Sequence, residues 1–313
     1  MISSTQSHSW DGPFSGVFAA ALNATNADGS INYEYSIAHA KWLLANGCDG
    51  LGVLGTTGEA NSFSVSERKA ILDALINAGV SAEKLMTGTG VCAIPETVDL
   101  TRHAVQAGCP GVLMLPPFYY KNPTDEGLVA AYSHVIDQVG DDRLRVYLYH
   151  FPQMAGVSIT DGVIGALRER YPGIVVGMKD SSGDLENMAG IAERHPGFAV
   201  FSGSESAFLD LAKRGGAGCI TAVSNVSSAL AQAVWRAWID HGTDAPENEP
   251  LLAMRSAISA QPLFAALKAV QARHTGSSVW ENMRPPLTPL DDAARRSLFA
   301  SVDAIGYEIP KAA

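Results

Sequence analysis

The chain has 313 residues, 47% of them hydrophobic and 17% charged, enough apolar material to offset the entropy of ordering; intrinsic disorder is excluded. Thirty-two acidic against 22 basic residues leave a formal charge of −10, and without a run of Lys or Arg this argues against a nucleic-acid partner. Apolar runs stay far short of the roughly 20 residues that cross a bilayer, and residues 1–14 lack the basic start and apolar stretch of a signal peptide, so a cytoplasmic globular protein is expected.

Eight short apolar runs follow one another: Gly16–Leu22, Gly50–Gly55, Leu85–Gly90, Gly111–Leu115, Val146–Phe151, Ile174–Lys179, Phe198–Gly203 and Gly218–Val223. Seven intervals between residues 16 and 218 average about 29 residues, the length of one strand-plus-helix unit. Near-continuous apolarity, as in Val146–Tyr149, is what parallel strands covered on both faces require. Between the runs lie helical stretches. Ser64–Glu67 reads as a capping box opening a helix that reaches Gly79. Thr124 to Gly140, Thr160 to Gly173 and Asp184 to Gly197 repeat the pattern of a polar start and a glycine end. Eight alternating units predict an α/β protein of the (β/α)8 TIM-barrel type over residues 1–226. Residues 227–313 read as a C-terminal helical extension packed on the barrel, with helices over Ala229–His241, Pro250–His274 and Asp291–Gly306. The Pro-rich stretch Arg284–Pro289 separates the last two.

In such a barrel the chemistry gathers where strands end. Lys179 closes an apolar strand, where burial favours the neutral amine that attacks a ketone to form a Schiff base; a salt bridge to Asp180 is the plainer alternative. Thr56 and Thr57 stand in the glycine-flanked turn Gly55–Glu59, whose hydroxyls and free N–H groups suit a carboxylate, or simply make a turn. Tyr149 ends the fifth strand, as a proton donor and acceptor or as a core aromatic. Together, an amine, a carboxylate cradle and a phenol are the parts needed for imine chemistry on a 2-oxo acid.

The segments Gly50–Glu59, Tyr149–Pro152 and Gly177–Asp184, in this order, resemble the dihydrodipicolinate synthase / N-acetylneuraminate lyase family of class I, pyruvate-handling lyases. The likeness runs from Gly16 to the Arg284–Leu287 segment. It implies Lys179 as the Schiff-base lysine, Tyr149 as general acid/base, and Thr56 and Thr57 as carboxylate binders and proton relay. Tyr120, with Tyr119 as the fallback, matches a tyrosine lent across a dimer interface, so a homodimer or homotetramer is implied. Gly203 and Ile220 match pocket-lining positions, and Glu205 and Ser206 are candidates to bind substrate hydroxyls. Two positions depart from the synthase branch. Met154 stands where that branch carries a carboxylate-binding arginine, and His150 replaces its asparagine; a thioether cannot form a bidentate pair with a carboxylate.

Other patterns carry less. Gly50-Leu-Gly52-Val-Leu-Gly55 fits a dinucleotide fingerprint, but its glycines lie inside the strand instead of opening a helix. Cys48, Cys92, Cys109 and Cys219 show no C-x-x-C pair, and no histidine spacing suits a metal, so neither metal nor cofactor is expected. His39, His103 and His134 fall on helices as surface or satisfied groups. Strand alternation turns His150 away from the face of Tyr149. The expected activity is cleavage or formation of a C–C bond to pyruvate or another 2-oxo acid. The alternatives are dihydrodipicolinate synthase itself, an imine-dependent dehydratase or deaminase, and a ligand-binding barrel without turnover.

Overall fold

The computed structural model describes residues 9–311. Strands β1 (Gly16–Ala20), β2 (Gly50–Val53), β3 (Leu85–Gly88), β4 (Gly111–Met114), β5 (Val146–His150), β6 (Val175–Asp180), β7 (Ala199–Ser202) and β8 (Gly218–Thr221) close in chain order into one parallel barrel. Each coincides with one of the apolar runs, and every strand residue is buried, because helices cover the outer face while side chains fill the inner one. The interior is crowded by Phe18, Tyr147 and Phe201, whose rings meet edge to face at 5.8 and 5.9 Å. Glycine makes the room: a Cβ at Gly111 would stand 2.9 Å from Tyr147 Cε2 and 3.0 Å from Phe14 Cε2. Phe14 closes the lower end, its N–H donating to Tyr147 Oη at 3.2 Å.

The outer ring comprises α1 (Tyr33–Ala45), α2 (Val65–Asn77), α3 (Ile94–Gln106), α4 (Asp125–Val139), α5 (Pro152–Ala155), α6 (Asp161–Arg170), α7 (Leu185–Arg194) and α8 (Glu205–Lys213). Both halves of the expected capping box are present at α2. Ser64 N–H donates to Glu67 Oε2 at 2.8 Å, and Glu67 N–H donates to Ser64 Oγ at 3.2 Å. Gly140 ends α4 in the left-handed region at φ 60°. By contrast α6 ends at Tyr171, short of Gly173.

The extension comprises α9 (Ser224–His241), α10 (Asn248–Ser259), α11 (Leu263–Thr275) and α12 (Asp292–Asp303). Two expectations fail here. The single helix over Pro250–His274 is broken at Pro262, which lacks an N–H and drives the preceding residue out of helical geometry. The helix expected from Ala229 begins at Ser224, with a non-helical Ser227 at φ −137° marking a kink. Leu22 and Ala24 beyond β1, and Ala222 and Val223 beyond β8, form one cluster with Met254, Leu267, Val270, Trp280 and Leu298. The extension therefore packs over the ends of β1 and β8, and residues on either side of position 226 share a core. No helix among the described residues is long and apolar enough to cross a membrane.

Candidate active site

Three groups named from the sequence meet at the C-terminal ends of β2, β5 and β6. Tyr149 and Lys179 are register partners on β5 and β6, so alternation aims both inward. Lys179 Nζ stands 4.5 Å from the Tyr149 ring centroid. On its other side Tyr149 Oη lies 3.3 Å from Thr56 Oγ1, a contact in which either hydroxyl can donate. Lys179 and Tyr149 are only 4% and 3% exposed, and the Lys179 side-chain nitrogen lies over the face of the phenol ring. Asp180 does not take that role. Its carboxylate accepts from Ser182 N–H at 2.7 Å and from Asn187 Nδ2 at 2.8 Å on the other face of β6.

The turn carrying the threonines is tightly held. Leu54 and Glu59 bracket it, both with φ 57°, a left-handed conformation uncommon for residues with a Cβ. Glu59 N–H donates to Thr56 O at 3.0 Å and Ala60 N–H to Gly55 O at 3.2 Å. Asn23, beyond β1, braces the turn from outside through Nδ2 to Gly58 O at 2.7 Å. Thr57 is buried, Thr56 half-buried. A cavity lined by Thr56, Gly88, Thr89, Leu115 and Tyr149 opens beside them. Phe151 stacks on Tyr149 with centroids 5.8 Å apart. Such an arrangement gathers an amine, a phenol in contact with a threonine hydroxyl, and the hydroxyl and N–H groups of the turn at one end of the barrel, groups of the type that imine chemistry on a 2-oxo acid requires.

The remaining candidates divide. Ile220 belongs to the inner cluster with Tyr149, and Gly203 N–H donates to Asp180 O at 2.7 Å, joining the ends of β6 and β7. Ser206 is exposed in the first turn of α8. Glu205 is buried at the start of α8, where its carboxylate faces Arg255 of α10, with Nη1 at 3.5 Å. Tyr119 and Tyr120 are 73% and 81% exposed, packed edge to face at 5.3 Å. Among the described residues neither hydrogen-bonds to Thr56 or Tyr149. Met154, on α5, is 57% exposed. Within the same set no group of three His, Cys, Asp or Glu side chains stands ready for a metal ion.

His150 faces away from the mouth, as alternation requires. Its Nδ1 accepts from Ile159 N–H at 3.0 Å, which fixes the neutral tautomer with the proton on Nε2. Burial lowers its pKa, opposed by the nearby Asp180 carboxylate. His39 is likewise satisfied and buried. Nε2 bonds Asn225 Oδ1 at 2.8 Å, Nδ1 meets Gln271 Nε2 at 3.1 Å, and burial pulls its pKa down to about 4. The residues missed from the sequence are Asn23 and Asn225. Asn225 accepts from Leu22 N–H at 3.0 Å and donates to Ala20 O and Ala222 O, both at 2.8 Å. Their signal was an amide set among apolar residues just past a strand.

Comparison with known proteins bears on the same features. Residues 13–305 match the model of the Dihydrodipicolinate synthetase family. An uncharacterized DapA-like lyase of Chloroflexus aurantiacus is 34% identical over 291 residues, covering 93% of this chain and 96% of its own. A crystal structure of dihydrodipicolinate synthase from Agrobacterium tumefaciens superposes with a TM-score of 0.85 at 32% identity, covering 93% and 99% of the two chains. YagE of E. coli, a prophage protein of the same family crystallised with pyruvate, gives 0.86 at 27% identity over 94% and 99%. By sequence over nearly its full length and by architecture, the chain belongs to the dihydrodipicolinate synthetase family, lyases of the class I aldolase type.

Proposed function

We propose that this lyase makes or breaks a C–C bond to pyruvate, or to a close 2-oxo acid, through an imine on Lys179. The observation that carries the reading is the contact chain Lys179–Tyr149–Thr56 in one mouth, with Nζ 4.5 Å from the phenol ring and the two hydroxyls 3.3 Å apart. The neutral Lys179 amine attacks the C2 ketone. Tyr149 passes a proton to the developing alkoxide, and the resulting carbinolamine loses water to give the imine. Removal of a C3 proton yields an enamine. In the forward direction the enamine adds to the carbonyl carbon of a second substrate, the new alkoxide takes a proton, and water then releases Lys179. Run in reverse, the same steps cleave a hydroxylated 2-oxo acid. Thr56 and Thr57, with the N–H groups of their turn, hold the carboxylate and orient C2 toward Nζ.

Support for pyruvate comes from YagE, whose crystal structure holds it. The second substrate is proposed to be one that needs no cation at position 154, because Met154 offers a half-exposed thioether and no charge. That disfavours the synthase reaction named for the Agrobacterium relative. Gly203 and Ile220 line the mouth in this reading, the active unit is a homodimer or homotetramer contributing Tyr120, and the compartment is the cytoplasm.

Borohydride reduction in the presence of pyruvate, followed by peptide mass spectrometry, tests the reading. The expected result is a reduced pyruvyl adduct on Lys179 that is absent from Lys179→Ala. Folded protein that yields no adduct with any 2-oxo acid of a panel overturns it in favour of a binding barrel. A panel of aldehydes with and without a carboxylate then identifies the partner.

A further inference from the structure

Glu59 and Lys268 form an ion pair with both side chains buried, 0% and 1% exposed. They come from parts of the chain far apart, the turn after β2 and the middle of α11 in the extension. Lys268 Nζ also donates to Asn282 O at 2.9 Å. Asn282 in turn is tied to the segment beyond β1, giving its amide to Thr25 O at 3.0 Å and accepting Thr25 Oγ1 at 2.8 Å. Two residues on, Arg284 N–H points to Glu59 Oε2 at 3.4 Å, while its guanidinium reaches Gly29 O at 2.7 Å, Ser62 O at 2.6 Å and the Glu67 carboxylate. Residues 282–284 are thus a strap across the loops that follow β1 and β2.

We propose that Glu59 is a positioning residue for the carboxylate cradle, clamped from outside the barrel by Lys268 and Arg284, so that the C-terminal extension sets how tightly the 2-oxo acid is held. The inference rests on the reading of Thr56 and Thr57 as that cradle. Its physical basis is threefold. First, the turn is bracketed by two left-handed residues with side chains, Leu54 and Glu59, a conformation that persists only where surrounding contacts over-determine it. Second, Glu59 lies two residues from Thr57, and its own N–H bonds Thr56 O, so Glu59 is tied through the backbone to the residues that carry both hydroxyls. Third, a buried ion pair gains little over apolar residues of the same volume, and what it adds is a fixed direction between its partners. Burial lowers the pKa of Lys268 while the Glu59 carboxylate opposes that shift, in keeping with a charge pair kept in a dry place.

The test separates positioning from stability. Pyruvate concentration dependence of borohydride trapping at Lys179 is measured for the wild type, Glu59→Gln, Lys268→Met and the double variant Glu59→Gln/Lys268→Met, with thermal unfolding in parallel. Each folded variant is expected to need at least about tenfold more pyruvate for half-saturation, while the trapping rate at saturation changes by less than about threefold, the pattern of lost ground-state binding. The double variant, with no unpaired charge left in the interior, is expected to regain the melting temperature lost by Lys268→Met but not the affinity. If pyruvate affinity is unchanged in folded Glu59→Gln, or returns together with stability in the double variant, the pair is structural only and the proposal fails. Absence of any adduct in the wild type removes the cradle itself, and this proposal with it; a normal wild-type adduct confines failure to Glu59.

Discussion

Tyr149 shows how much one atom decides at this site. Its ring packs against Lys179 and Phe151 and its hydroxyl meets Thr56, so packing and the proton handling proposed for it belong to different parts of one side chain. Tyr149→Phe keeps the first and deletes the second. We expect turnover to fall by about 10²–10⁴-fold with little change in melting temperature, the usual scale for general acid/base help. An unchanged rate makes Tyr149 a core residue. His39 offers a prediction of another kind. An unfolded histidine takes up a proton near pH 6.5, whereas in the fold burial holds it neutral down to about pH 4. Between those values the unfolded chain binds more protons, so stability is fully present above about pH 6.5 and is lost as the pH falls. The loss from this residue is on the order of 2 kcal/mol by pH 5. Urea unfolding at pH 7 and pH 5 checks the slope, and His39→Gln removes this residue's share of it.

Individual elements were readable where a local rule governs them. The capping box at Ser64 depends on two side chains three residues apart and nothing else, and it formed as the sequence spells it. Ser64→Ala is expected to cost about 1 kcal/mol in chemical denaturation without altering pyruvate trapping, since α2 bears no reacting group. Strands were readable for a related reason: burial on both faces leaves a run of apolar residues with no alternation to misjudge. Helix ends in the extension were less legible. Pro262 sits inside a long apolar stretch whose periodicity masks the break, and Ser224–Ser228 lack the apolar spacing of a helix because the turn packs directly on the end of the barrel.

Assembly belongs to the whole molecule. Tyr119 and Tyr120 stand in the loop after β4 at 73% and 81% exposure, and among the described residues neither hydrogen-bonds to Thr56 or Tyr149. If Tyr120 completes the site of a two-fold-related copy, mixing inactive Lys179→Ala with inactive Tyr120→Phe places both defects in one site of a mixed dimer and none in the other. Activity then returns in part once subunits exchange; exchange without recovery means that Tyr120 serves its own subunit or only packs. The extension is equally a property of the whole. Removing residues 227–313 strips Met254, Leu267, Val270 and Trp280 from the cluster they share with Leu22 and Val223. That truncated barrel is expected to aggregate, as size-exclusion chromatography would show.

The sequence by itself determined the barrel, most helix starts, and that Lys179, Tyr149 and Thr56 meet at one end of it. Each of these follows from interactions between near neighbours or from the rule that strand ends converge. Lys179, Tyr149 and Thr56 were legible because they stand at strand ends, where the fold class alone converts chain position into spatial position. Only the tertiary structure decided which buried polar groups pair. The sequence shows Glu59 in a turn, Lys268 in an apolar helix, Glu205 at a helix start and Arg255 on a helix, with more than 200 residues separating the first two. Nothing local says that Glu59 meets Lys268, or that Glu205 faces Arg255. A charge buried by folding must find its partner wherever packing brings one, and that choice depends on long-range geometry that no spacing along the chain records.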